Sequence, residues 1–206
     1  MRSAVSLRVE PTLADVLWPS TAATRDLLLA AVGTVFLALS AKLQIPFWPV
    51  PMTMQTYVVL VLGMVYGPRL GTTTMALYLV EGAFGLPVFA GTPQQGIGVS
   101  YMLGPTGGYL AGFVLGAALS GALAQRGWDR TPGRSFLAMA LAHVAIFIPG
   151  VSWLAMHIGW ERAIAAGLTP FWAATLAKTA LGVITLPLAW RVVGRHVPRR
   201  ACPTDG

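Results

Sequence analysis

Charge is scarce in this chain of 206 residues: Asp, Glu, Lys and Arg together make up 10% of it, where ordinary soluble domains carry about 25%. A water-soluble fold of this size could not cover its surface with so few ionic groups, and 55% of the residues are hydrophobic. Cysteine is nearly absent. Cys202 stands alone, which excludes an internal disulfide and a cysteine-based zinc site. The chain has three His and no cluster of His, Asp or Glu at ligand spacing, so neither a metal nor a cofactor is expected. It lacks G-x-x-x-x-G-K-S/T, so it does not itself bind ATP through a P-loop. It also lacks Gly-x-Ser-Gly; the nearest strings, Gly98-Val99-Ser100-Tyr101 and Gly150-Val151-Ser152-Trp153, miss the second glycine. That argues against a rhomboid-like membrane enzyme, and no other catalytic constellation is visible. Residues 1–23 contain Glu10, Pro11, Asp15 and Pro19 without an apolar core, unlike a cleaved signal peptide.

What the chain does have is long apolar runs. A bilayer core about 30 Å thick needs roughly 20 mostly apolar residues per helix. Six segments fit: 27–43, 53–66, 70–86, 106–124, 135–156 and 170–193. The second and third, divided at Gly67-Pro68-Arg69, are short and must tilt or lean on loops buried in protein. The expected fold is all-α: a polytopic membrane protein with six transmembrane helices in one domain at 24–196. A short segment, 1–23, precedes that domain, and a tail, 197–206, follows it. No internal repeat argues for an inverted-repeat transporter.

Laid on alternate sides of six spans, the basic residues separate sharply. The side of the N-terminus receives Arg2, Arg8, Arg25, Arg69, Arg126, Arg130, Arg134, Arg191, Arg195, Arg199 and Arg200. The other side receives Lys42 and Arg162, while Lys178 falls inside the sixth span. By the positive-inside rule both termini are cytoplasmic. The same rule accounts for the net charge of +7, and with no basic stripe interleaved with aromatics, nucleic acid is not an expected partner.

The opposite face is almost uncharged. Its first connection, 44–51, is proline and aromatic, with Trp48 at its centre. Its second, 86–105, carries Phe89, Gly91, Gln94, Gln95 and Tyr101 and no charge. Disordered segments favour charged, polar composition, so this loop is expected to fold over the helix ends as the wall of a pocket that opens outward. Ligand pockets are mostly apolar with a few placed polar groups. Ionisable residues inside a membrane are functional candidates by default. Lys178 is the first of these. Glu81, near the outer end of the third span, is either its counter-ion or a rim residue facing water. Thr175 shares the helix face of Lys178, and Gln55 opens the second span. His143 reads as a hydrogen-bonded packing residue and His157 as an interfacial one beside Trp153 and Trp160. Two stripes of small residues stand out. Gly108, Gly112, Gly116 and Ser120 suit internal packing. Ala30, Thr34 and Ala38 on the first span suit contact with another protein.

Four ordered strings then carry a resemblance: Ile45-Pro-Phe-Trp-Pro-Val-Pro-Met-Thr-Met-Gln-Thr56, Gly67-Pro-Arg-Leu-Gly71, Gly85-Leu-Pro-Val-Phe-Ala-Gly91 and Leu103-Gly-Pro-Thr-Gly-Gly-Tyr109. From about residue 24 to 190 the chain resembles the BioY family, the biotin-binding S components of energy-coupling factor (ECF) transporters. The resemblance implies an ECF S-component-like bundle in the bacterial cytoplasmic (inner) membrane. Its expected ligand is biotin, and its expected partners are an ECF coupling transmembrane subunit and two ATPase subunits; the alternative is a solitary biotin facilitator working without an ATPase module. It further implies substrate binding at Lys178, the lysine of the family's Asp-x-x-Lys string, whose Asp position is Thr175 here. A hydroxyl brings no negative charge, and the missing acceptor falls to Glu81, Gln94, Gln95 or a carbonyl near Gly91. Trp48, Phe89 and Tyr101 are expected to line the slot, with Gln55 and Gly91 beside them. The Ala30/Thr34/Ala38 stripe is the expected contact for the coupling subunit.

Overall fold

The computed structural model describes residues 9–45 and 48–196; Arg2, Arg8, Pro46, Phe47, Arg199 and Arg200 lie outside them. A short helix, α1 (Leu13–Leu17), opens the described chain. Thr12 caps it, accepting from the Asp15 amide while the Asp15 carboxylate accepts from Thr12 N, a reciprocal capping box. Then come α2 (Ala23–Lys42) and a two-residue antiparallel ribbon, β1 (Gln44–Ile45) with β2 (Met52–Thr53). The rest is helical: α3 (Gln55–Ala83), α4 (Val99–Met102), α5 (Gly107–Ala124), α6 (Pro132–Ile158), α7 (Trp160–Gly167) and α8 (Phe171–His196).

Helix α3 is a hairpin and not a rod. Gly67 has φ 79° and ψ 174°, a conformation that a residue with a side chain adopts only under strain. Pro68 follows and donates no backbone hydrogen bond. On a straight helix, residues 63 and 71 would stand about 12 Å apart. Here a Cβ on Gly71 would touch the Gly63 backbone, so the two arms, 55–66 and 68–83, run back to back. Each arm is shorter than the roughly 20 residues that span a bilayer, as the composition suggested. Four helices, α2, α5, α6 and α8, are long and apolar enough to cross a membrane by length and composition. Their outward faces carry exposed apolar side chains such as Val35, Phe36, Leu115, Val144, Ile148 and Ile184, which a lipid solvent accommodates and water would not.

Helix α5 sits centrally, packed on α3 and α6. Its small-residue stripe makes this possible. Gly108 meets Trp153 and Pro149, Gly112 meets the backbone at Ile146, and Ser120 with Ala117 meets Gly63. Internal packing is therefore what this stripe does. Helix α2 packs on α3, where Gly33 faces Thr74 and Tyr66. Ala30 and Thr34 are buried and Ala38 is packed half-buried against the core. The stripe therefore faces the bundle in this conformation, because small residues let α2 approach α3 closely. The membrane-facing side of α2 is carried by Leu28, Val32, Val35, Phe36 and Leu39.

Four elements fall outside the expected pattern: α1, the β1–β2 ribbon, α4 and α7. Each is too short for an apolar run to announce it. Helix α7 is amphipathic, with Ala163 and Gly167 buried while Trp160 and Ile164 are exposed, and it lies between the ends of α6 and α8.

Candidate functional site

A cavity of about 580 Å³, counting the part open to solvent, lies where the connections 48–53 and 86–106 meet the ends of α3, α5, α6 and α8. Its apolar and aromatic wall includes Tyr101, Tyr109, Phe113, Phe147 and Phe171, and its polar groups are the side chains of Thr53, Gln55, Thr56, Thr106, Thr175 and Lys178. Lys178 is the single ionisable acid or amine among them, tyrosine hydroxyls aside.

Lys178 lies seven residues into α8, about 10 Å along its axis. It is 7% exposed, and its Nζ donates to Thr56 Oγ1 at 2.9 Å. No carboxylate pairs with it among the described residues. A buried ammonium costs several kcal/mol unless matched, and one neutral hydroxyl leaves two N–H bonds for whatever occupies the cavity. Thr53 and Lys178 also border a wider groove of about 1270 Å³ between the end of α2 and α8, so the lysine stands at a junction.

Gln55 is oriented by a relay. The Tyr78 hydroxyl donates to Val88 O at 2.9 Å, so its oxygen is free to accept from Gln55 Nε2 at 2.6 Å. This leaves the Gln55 carbonyl oxygen without a protein donor among the described residues, at the cavity wall. Tyr101 is placed from behind. Its ring stacks on Phe89 at 5.1 Å between centroids, Phe89 meets Tyr78 edge-on at 5.4 Å, and its hydroxyl accepts from Gly91 N at 3.3 Å. Gly91 is tight because a Cβ there would strike Gln95, just as Gly82 leaves room for the Phe89 ring.

The structure thus brings together Lys178, Thr175, Gln55 and Tyr101 on one cavity. Phe89 and Gly91 lie one layer behind, supporting Tyr101. Trp48 is 79% exposed and borders a separate pocket with Pro49, Gln95, Tyr101 and Thr106. Glu81 is half-buried near the C-terminal end of α3, makes no ion pair among the described residues and is not brought to Lys178. His143 bonds Met139 O through Nδ1, and both ring nitrogens of His157 face carbonyls, of Trp153 and Leu103.

Sequence reading missed Thr56, Thr106, Tyr109, Phe113, Phe147 and Phe171. Thr56, Thr106 and Tyr109 lie within the quoted strings, but a string does not say which side chains turn inward. Among the described residues no group of three or more His, Cys, Asp or Glu could hold a metal ion.

Comparison with known proteins gives the family and the fold. The model of the BioY family matches residues 11–195. A biotin transporter BioY of Thermotoga maritima is 35% identical over 167 residues, covering 80% of this chain and 95% of its own. A probable biotin transporter BioY of Pyrococcus horikoshii is 32% identical over 160 residues, covering 78% and 93%. In fold, the chain is similar to the crystal structure of the S component for biotin from an ECF-type ABC transporter. That match has a TM-score of 0.66 at 24% identity and covers 82% of this chain and 90% of that one. With the family model over residues 11–195 and relatives above 30% identity over most of their length, this chain belongs to the BioY family.

Proposed function

We propose that this protein captures biotin and serves as the substrate-specific subunit for its uptake. The carrying observation is the cavity: an apolar slot whose one cation, Lys178, has no acid partner among the described residues, in a chain of the BioY family. Biotin presents a ureido ring with two N–H donors and a carbonyl, an apolar thioether ring and a valerate carboxylate. Tyr101, Phe113, Phe147 and Phe171 suit the apolar ring. The Gln55 carbonyl oxygen and the Thr175 hydroxyl offer acceptors for N–H groups, and Lys178 offers donors to a carbonyl or carboxylate. Thr175 supplies no charge, so Gln55, aimed by Tyr78, is the stronger neutral acceptor in the wall.

The remaining parts of the reading follow from the family and the charge pattern. The arms of α3 and the four long helices make six spans, with both termini on the cytoplasmic side of the bacterial inner membrane. The protein works with a coupling transmembrane subunit and two ATPases. Small molecules co-purifying with the protein, identified by mass spectrometry, should include biotin. Purified protein that neither carries nor binds biotin would remove the function. Uptake in cells lacking coupling subunits distinguishes a solitary facilitator: biotin accumulation by this chain alone would displace the ATPase-dependent reading.

Contact with the coupling subunit through Ala30, Thr34 and Ala38 requires α2 to part from α3, since the stripe faces inward here. Ala30→Trp should therefore abolish co-purification with the coupling subunit and also lower the stability of the chain alone. Normal assembly of a stable Ala30→Trp variant would exclude the stripe as the contact.

A further inference from the structure

The loop 86–106 that covers the cavity is held at three places. Tyr78 bonds Val88 O; Trp153 Nε1 and His157 Nε2 meet Gly104 O and Leu103 O at the far end; and Lys42 holds the middle. Lys42 ends α2, a helix that contributes no residue to the cavity wall. Its ammonium reaches Phe89 O at 2.9 Å, Thr92 O at 3.1 Å and Thr92 Oγ1 at 3.2 Å. All three N–H bonds of the ammonium are thus used on neutral oxygens of one turn. Thr92 Oγ1 also donates to Phe89 O at 2.7 Å, which closes the turn on itself. No carboxylate pairs with Lys42 among the described residues, so neutralising an acid is not its role.

The turn it grips supplies the cavity wall. Ala90 lines the cavity, Phe89 lies beneath the Tyr101 ring, and Gly91 N donates to the Tyr101 hydroxyl. Releasing residues 89–92 would withdraw Ala90 and leave Tyr101 without its stack and its hydrogen bond. The Lys42 side chain is reached by solvent, so water can replace the three oxygens when the turn lifts. We propose that Lys42 is the latch of the lid: its three hydrogen bonds hold the 89–92 turn shut, and exchange of the bound molecule requires them to break. This rests on reading the cavity as the biotin site. Lys42 does not touch the ligand; it acts through Ala90 and Tyr101 as a positioning residue. The geometry calls for lysine, because three acceptors converging on one nitrogen suit a compact ammonium, whereas the planar fork of arginine spreads its donors.

The test uses the full chain in detergent with tritiated biotin. Lys42→Met should raise the dissociation rate on the order of tenfold, since affinity differences fall mainly on release. The thermal midpoint of the ligand-free variant should stay near that of the parent. Lys42→Arg should behave like Lys42→Met. Dissociation unchanged in Lys42→Met, or full rescue by Lys42→Arg, would overturn the latch. Hydrogen exchange of residues 86–98 without ligand separates the two readings: faster exchange in Lys42→Met supports the latch even if biotin proves not to be the ligand. Equal exchange overturns the latch even if biotin binds.

Discussion

The two ends of the molecule hold their cations in opposite ways. At the end carrying the described termini, the buried Arg25 and the half-buried Arg130 are matched by carboxylate. Arg25 pairs with Asp15 at 3.2 Å and Asp26 at 3.1 Å, and Arg130 pairs with Glu10 at 3.1 Å while stacking over Trp190. At the cavity end, Lys42 and Lys178 are held by backbone carbonyls and threonine hydroxyls alone among the described residues. A charge matched by a charge is a finished structural contact. A charge held by neutral oxygens keeps its full field and can trade those oxygens for another acceptor. The first arrangement fixes a scaffold; the second leaves donors for a ligand and a contact that can open.

Asp129 shows the strain of the reverse case at the basic end. It is fully buried, one oxygen accepts from Trp190 Nε1 and the other has no partner among the described residues. Burial pushes its carboxyl above the usual carboxylate range, with the Trp190 hydrogen bond pulling the other way. It joins the α5–α6 connection to α8, the helix that carries Lys178.

The comparison can be broken first at Lys178. Lys178→Ala should weaken biotin binding by about 2–5 kcal/mol, the loss that follows truncation of a buried hydrogen-bonded charge. Equilibrium binding in detergent measures it, and affinity within about threefold of the parent would take Lys178 out of the site. If the two ends differ as described, Arg25 should behave otherwise. Arg25→Met strands Asp15 and Asp26, whose side chains are 48% and 54% exposed and can be hydrated. The expected cost is about 1–2 kcal/mol of stability, read as a lower thermal midpoint with biotin affinity of the folded protein unchanged. A large loss of biotin affinity in that variant would erase the distinction between scaffold and site.

Much of the fold was legible because its signals are local. Apolar run length marked α2, α5, α6 and α8, and Gly67-Pro68 marked the reversal inside α3. Run length did not mark α1, the ribbon, α4 or α7, which are short and take their shape from capping, pairing or packing. Of the site, Lys178 was legible because an ammonium within an apolar span has to be accounted for. Tyr101 and Gln55 were legible as polar or aromatic residues where charge was missing. Thr56 was not, since it meets Lys178 across 122 positions of sequence. Lys42 was legible only as a charge on the sparse side, because its three acceptors lie 47 to 50 positions away.

The sequence by itself determined that this chain is a multi-span helical membrane protein with one basic face, and its ordered strings determined its family. Both follow from composition and spacing along the chain, which folding does not alter. Only the tertiary structure decided which way each helix turned its faces. It put the Ala30/Thr34/Ala38 stripe against α3, set Phe89 behind Tyr101 rather than in the wall, left Glu81 apart from Lys178, and closed the loop onto Lys42. Those outcomes depend on rotation about helix axes and on loop paths. A rotation of about 100° per residue makes a neighbour in sequence face elsewhere, and only packing selects the angle.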